Sequence, residues 1–447
     1  MARHPQGSLP TPRKPARPAA ASAARLAMTA LALLAPQDAL ASAAPEAPAS
    51  AVAQARPGRS LALDEALALA RQDQPAVAAF EREAAASEQA ALAARSLPDP
   101  QVSVGIQNFP VRGETALSPT EDEMTMYTIG VMREQVRRSR REAETARLRS
   151  EAAVSRFEGS ARERRIQRDV MLAWLEAVEA GQKQRLLAQV IGDLRTGRQV
   201  IEAGIATGSS TAALELEARA EIALAESRLA EARGAEDRAR GELARWIGAA
   251  AERPLPERLP AVPPPAGGAP DFATHPEVLA ANAEERALRG EAGVARAERR
   301  PNLSWSVMLG VRPSYGEMVS AQVSIPLQVN RRGLQDRRIA DAEARADAAR
   351  LRSEDRQREL GGDYRSALAR YRSSAARVGI LEDQAIPALE AAFKAAEARY
   401  AGGQGTLEQP LAIVRRYVET NIELVEQEGA RARAAAELLY LSGGPAQ

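Results

Sequence analysis

The chain has 447 residues, 45% hydrophobic and 27% charged, with 3% aromatics, two histidines and no cysteine. A formal net charge of +1 gives no field that points to nucleic acid or to an acidic substrate. Without cysteine there is no disulfide, thiolate metal site, Cys nucleophile or lipidated Cys anchor. A single His outside the first residues leaves a zinc site or Ser–His–Asp triad without its parts, so neither an enzyme nor a tightly bound cofactor or metal is expected.

The N-terminus reads as an export signal over residues 1–43. Arg3, Arg13, Lys14, Arg17 and Arg25 form a basic region, Leu26 to Ala35 is a short apolar run, and Ala41-Ser42-Ala43 offers a cleavage site. Residues 44–60, rich in Ala, Pro and Ser, read as a flexible leader. No later segment has the ~20 apolar residues of a transmembrane helix, so any membrane crossing must use strands.

From residue 61 the chain is written twice. Gln74-Pro75-x-Val77 recurs as His275-Pro276-x-Val278, and Pro100-Gln101-Val102-Ser103 as Pro301-Asn302-Leu303-Ser304. Ile129-x-Val131 with Arg137-Arg138 recurs as Val323-x-Ile325 with Arg331-Arg332. Ala203-Gly204 answers Ala401-Gly402, and Leu243 with Gly248 answers Leu438 with Gly443. The order defines a first repeat over 61–253, a Pro-rich linker over 254–271, a second repeat over 272–443 and a tail over 444–447. Each repeat reads helix, strand, loop, strand, very long helix, Gly turn, helix.

The strands are expected at about 101–109 and 124–133, and at about 302–311 and 318–327. Val102, Val104 and Ile106 alternate with Gln101, Ser103 and Gln107, and the other three segments show the same apolar–polar parity. That is the pattern of a tilted transmembrane strand, and also of a soluble hairpin packed on a helix. Four strands cannot close around water, so a barrel requires several protomers. Met124, Met126, Met132, Met308 and Met318 fall on the polar parity, where thioethers suit soft ions such as Cu(I) or simply fill space.

Val136 to Ala203 is free of proline and would be about 100 Å long as a helix. Ile166, Val170, Trp174 and Val178 step by four, a face that must pair in a coiled-coil-like wall. The matching stretch from Gly333 to Tyr400 contains Pro387, opposite Gly192 in the first copy, and both long segments are expected to bend or split there. The turns around Gly204, Thr207, Gly208 and Ser210, and around Gly402, Gly405, Thr406 and Glu408, join antiparallel helices. Gly is expected to take the left-handed conformation and Thr or Ser to cap the next helix. His275, beside Pro276, reads as a turn residue, and the arginines at 137–141 and 331–332 as interfacial anchors.

The layout resembles the TolC-type outer-membrane factor (outer membrane efflux protein) family over residues 60–445. The residues that carry the resemblance are Pro75 and Pro276, the strand leads Leu97-Pro98-Asp99-Pro100 and Arg300-Pro301-Asn302-Leu303, the Arg-Arg strand exits and the two Ala-Gly turns. The Pro-Leu that ends the second strand stands as Pro326-Leu327 but is Met132-Arg133 in the first copy, which leaves the end of that strand open. The resemblance implies a mainly α fold with a small β part: a homotrimer whose 12-stranded barrel sits in outer-membrane lipid on a long helical periplasmic tunnel. It also implies a periplasmic adaptor (membrane fusion) protein and a proton-driven inner-membrane pump as partners, in the outer membrane of a Gram-negative bacterium. The two Gly turns become the tip where the adaptor docks and the entrance opens, with Glu408 either in an acidic ring or a solvated helix-start carboxylate. The segment Met124 to Met132 is similar to the heavy-metal (Czc/Cus-like) branch. The alternatives are a channel for drugs and a periplasmic coiled-coil scaffold whose hairpins never enter lipid.

Overall fold

The computed structural model describes residues 59–72, 74–118, 121–206, 210–265, 270–312, 315–402, 404 and 408–443. The expected signal segment, almost all of the leader and the tail lie outside the described residues. The elements run α1 (Leu63–Ala70), α2 (Pro75–Ala93), β1 (Gln101–Gln107), β2 (Met126–Gln135), α3 (Arg138–Ala206) and α4 (Ala212–Ile247), then α5 (Pro276–Ala297), β3 (Leu303–Arg312), β4 (Tyr315–Ser324), α6 (Gln335–Ile380), α7 (Ile386–Ala401) and α8 (Glu408–Leu441).

α3 has 69 residues, about 100 Å of helix. It runs through Gly192 without a break, contrary to expectation. A lone helical Gly costs only about 1 kcal/mol, which packing along such a helix absorbs. Pro387 has no N–H and crowds the preceding turn, and there the second repeat does change: a five-residue π turn, Leu381–Ala385, separates α6 from α7.

The long helices are built on sevens. Thr145, Ala152, Gly159, Ile166, Ala173, Ala180 and Leu187 are all buried along α3. Ala225, Ala232 and Ala239 repeat the spacing on α4, and Ala346, Ser353, Leu360, Ala367 and Ser374 on α6. A seven-residue period keeps one seam facing its neighbour, and small residues let the backbones approach. α3 packs against α2, α4, α5 and α8, while α6 packs against α5 and α8. At Gly290 of α5, an added Cβ would lie 3.0 Å from the Cα of Arg147 in α3, so these two helices touch backbone to backbone.

One apolar cluster gathers Leu61, Ile166, Val170, Trp174, Val178 and Leu243. The expected four-step face on α3 is thus fully buried, and the Trp174 indole N–H donates to the Leu61 carbonyl at 3.0 Å. The Pro-rich linker is laid onto this cluster through Leu255, Leu259 and Val262. A smaller cluster joins Val278, Leu360, Tyr364, Ala367 and Leu438 in the second repeat.

The strands form one antiparallel sheet in the order β1-β2-β3-β4, with the repeats joined at β2 and β3. β1 stops at Gln107, short of its expected end, because Asn108 takes a φ of 58° and turns the chain away. β2 begins at Met126 because the Met124 N–H is held by the Asp122 side chain at 2.8 Å in a turn, so Met124 belongs to no strand. At its other end β2 runs on to Gln135, paired with Leu303. β4 spans Tyr315–Ser324, ahead of its expected 318–327, and stops before Pro326, which has no N–H for the ladder.

Candidate functional site

The register sorts the sheet into two chemically distinct faces. Val102 pairs with Val131, Val131 with Val307 and Val307 with Ala321; Val104, Ile129, Leu309 and Val319 form the next row. Paired residues point to the same side of a sheet, so these rows make one apolar face together with Ile106, Tyr127, Trp305, Val311 and Val323. It is bare: Val104 is 79% and Val319 72% exposed. An apolar patch this continuous marks a surface that meets lipid or protein. β1 and β4, the two edges, are exposed along their whole lengths.

The opposite face carries Gln101, Ser103, Gln107, Thr128, Ser306, Ser320 and Gln322 with Met126, Met132, Met308 and Met318. Thr128 is only 7% exposed there. Its hydroxyl donates to the Gly105 carbonyl at 3.1 Å. The Gln107 amide lies 3.5 Å from the Met308 sulfur.

At the other end of the long helices stand the two turns. Thr207, Gly208, Gly405 and Thr406 lie outside the described residues. Gly204 lies inside the last turn of α3, and its carbonyl accepts from the Ser210 N–H at 3.1 Å. Gly402 follows α7 with a φ of −79°. Neither glycine is left-handed, contrary to expectation, because each still completes its helix's hydrogen bonding. Among the described residues, the left-handed glycines that end helices are Gly248 after α4 and Gly443 after α8, at φ 58° and 69°. The cap of α4 is Thr211, one residue past Ser210, whose side chain accepts from the Leu214 N–H at 3.3 Å. Glu408 opens α8 on the surface. Near the turns Arg415 of α8 reaches Glu221 of α4 at 3.3 Å and Glu217 at 3.9 Å, which fixes the two repeats at this end.

A polar cluster closes the second repeat. His275 is 1% exposed and caps α5: its Nδ1 accepts from the Glu277 N–H at 3.3 Å while Nε2–H donates to the Tyr440 carbonyl at 3.3 Å. Both contacts require the neutral ring, and burial pushes the imidazole below its ordinary value. Gln74 has the matching place in the first repeat, where its side-chain amide donates to the Trp246 carbonyl at 3.0 Å. Glu277 accepts from the Tyr440 hydroxyl at 2.7 Å and pairs with Arg356 and Arg165. Burial alone would raise Glu277, but the Tyr440 hydroxyl and Arg356 outweigh it and hold the carboxyl low.

A second charged group lines a cavity of about 530 Å³ between α3, α4 and α8. Glu179, buried, pairs with Arg433 and, at 3.0 Å, with Lys183, which also reaches Glu426 at 3.0 Å. Burial pushes Lys183 down, yet the two carboxylates keep its ammonium above the ordinary lysine value. Among the described residues no cluster of His, Asp or Glu is arranged to hold a metal ion. No described helix is long and apolar enough to cross a membrane.

Residues 272–444 match the family model of the outer membrane efflux protein. Over these residues, fewer than half of the chain, the sequence is similar to that family. No curated protein matches the chain significantly in sequence. Solved structures extend the likeness of fold beyond residues 272–444. The outer membrane protein VceC of Vibrio cholerae is 20% identical with a TM-score of 0.71, over 86% of this chain and 96% of its own. CusC, described in terms of folding and transmembrane channel formation, is 18% identical with a TM-score of 0.71, over 88% and 96%. The open state of the Neisseria gonorrhoeae MtrE outer membrane channel is 18% identical with a TM-score of 0.69, over 86% and 89%. The helix–sheet arrangement of the first repeat, outside the residues that the family model matches, therefore shares the fold of these proteins.

Proposed function

We propose that this protein is the outer-membrane channel of a tripartite efflux system, a trimer that conducts heavy-metal cations passively from a periplasmic adaptor and an inner-membrane pump to the exterior. The observation that carries the reading is the sheet: a bare apolar face and two unpaired edges, β1 and β4, at the end of α3, a helix about 100 Å long. An edge leaves a row of backbone donors and acceptors that lipid cannot satisfy, so the sheet demands copies of itself on both sides. Three copies give 12 strands, enough to enclose water. A scaffold with no membrane contact would have to cover this apolar face with a protein partner along its whole extent. The turns at Gly204, Ser210, Gly402 and Glu408 are the surface we assign to the adaptor. No catalytic step is involved, and the inner-membrane partner supplies the energy.

The choice of metal cations over drugs is supported by the methionines of the polar face and by the similarity of Met124 to Met132 to the heavy-metal branch. Membrane fractionation and planar-bilayer recording test the channel: outer-membrane recovery with a stable trimeric pore is expected, and a soluble protein without conductance refutes it. A deletion strain challenged with copper, silver, zinc, cobalt and several drugs tests the cargo. Sensitivity confined to drugs replaces metal with drug efflux.

A further inference from the structure

The methionines of the polar face are not scattered. Reading the register across the sheet, one row contains Gln107 and Met126; the next contains Gly105, Thr128, Gly310 and Met318. The row below that contains Ser103, Gly130, Met308 and Ser320, and the one after it Gln101, Met132, Ser306 and Gln322. Each of four successive rows therefore holds one thioether. Successive same-face rows are about 6.7 Å apart along a strand, so the four sulfurs are distributed over about 20 Å of sheet.

Small neighbours make room for them. The Met126 sulfur lies 3.3 Å from where a Cβ on Gly310 would stand, and a Cβ on Gly130 would lie 3.5 Å from that of Met308. Thr128, Gly130 and Gly310 are buried on a face that is otherwise open, covered by these long side chains. Between the methionines the interleaved groups are hydroxyls, amides and glycines, and the charged side chains of the same parity stand at the two ends of the ladder, Arg312 beside Met126 at the outer end of β3 and Glu134 one row beyond Met132 toward the helices.

We propose that Met132, Met308, Met318 and Met126, in that order from the helical end outward, form a ladder of thioether contacts for soft monovalent cations of the Cu(I) and Ag(I) class. A thioether is a neutral, polarisable ligand that prefers such ions to Zn²⁺ or Mg²⁺. One sulfur per level gives each ion a weak contact and a next contact within one row, the balance that conduction requires. The proposal rests on the reading of the sheet as a channel wall and narrows its cargo.

The test uses the purified full chain in detergent, with silver(I) alone as the probe, and the variant in which Met126, Met132, Met308 and Met318 are all Leu. Calorimetry is expected to show silver binding to the parent with a sulfur-ligand signature by X-ray absorption, and at least tenfold weaker binding to the variant. The pairwise variants Met132→Leu/Met308→Leu and Met126→Leu/Met318→Leu are expected to fall between, which keeps the test alive if the fourfold variant fails to assemble. Equal silver binding by parent and variants, or none by either, overturns the ladder. Silver binding that the variants lose, in a protein whose deletion leaves copper and silver tolerance unchanged, supports the ladder as a contact site and overturns metal efflux as the function.

Discussion

Replacing His275 by Gln separates a titration from the hydrogen bond it accompanies. The first repeat supplies the design, because Gln74 already donates to the Trp246 carbonyl as His275 donates to that of Tyr440. His275 is buried and its pKa is lowered by that burial, with Arg164 and Arg356 acting in the same direction against Glu277 and the Tyr440 carbonyl. The folded protein therefore holds the ring neutral where the unfolded chain, with a pKa of about 6.5, takes up a proton. Stability is fully present above that value and falls as pH drops from about 6.5 toward the folded pKa, with a slope approaching ~1.4 kcal/mol per pH unit. Glu277 acts in a separate window: its pKa is held below the ordinary 4.5, so its contribution is lost only as pH falls below that. His275→Gln keeps the donor to Tyr440 but gives up the cap on the Glu277 N–H, a pH-independent cost of about 1 kcal/mol. Thermal unfolding followed by far-UV circular dichroism in detergent, between pH 5 and 8 at constant ionic strength, measures both. The variant is expected to melt lower than the parent at pH 8 and to lose the fall in melting temperature that the parent shows below pH 6.5. Parallel curves for the two proteins would refute the buried neutral histidine.

Three further outcomes follow from particular contacts. Val307→Arg, on the bare apolar face, is expected to cost about 2–4 kcal/mol in lipid and to reduce recovery of folded protein in outer membranes, while Ser306→Arg on the opposite face leaves recovery unchanged. Gly290→Val drives a side chain into the backbone of α3 at Arg147 and is expected to destabilise by about 1–3 kcal/mol in the same melts, whereas Gly293→Ala, with open space around it, is neutral or slightly stabilising. Gly443→Ala and Gly248→Ala each impose a left-handed backbone on a residue with a Cβ, and each is expected to cost about 1–2 kcal/mol.

What the sequence revealed divides by range. The alternation of Val102, Val104 and Ile106 and the four-step run from Ile166 to Val178 are local periodicities, and both reappear as faces in the structure. The seven-residue rows of Ala, Ser and Gly were equally present, but small residues blur into an Ala-rich background and do not advertise a seam. Turn chemistry misled in a specific way: glycines beside Ala203 and Ala401 suggested left-handed caps, yet helical hydrogen bonds continue through Gly204 and up to Gly402. Gly248 and Gly443, which in the sequence mark only corresponding positions of the two repeats, take that conformation. The cluster of Glu277, Arg356 and Tyr440 was out of reach, since nothing local brings together side chains so far apart in the chain. Its one legible trace was the alignment of Gln74 with His275, each just before a Pro at a helix start.

The pairing of β2 with β3 sets the order in which the protein can be made. Tyr127 meets Val311, so the first hairpin waits while about 170 residues separating Gln135 from Leu303 are synthesised. At 5–20 residues per second that is roughly 10–30 s. Throughout that interval a strand edge and an apolar face are both unpartnered, the conditions under which nascent sheets find wrong partners. The central seam of the sheet therefore forms late, only after the second hairpin has been made.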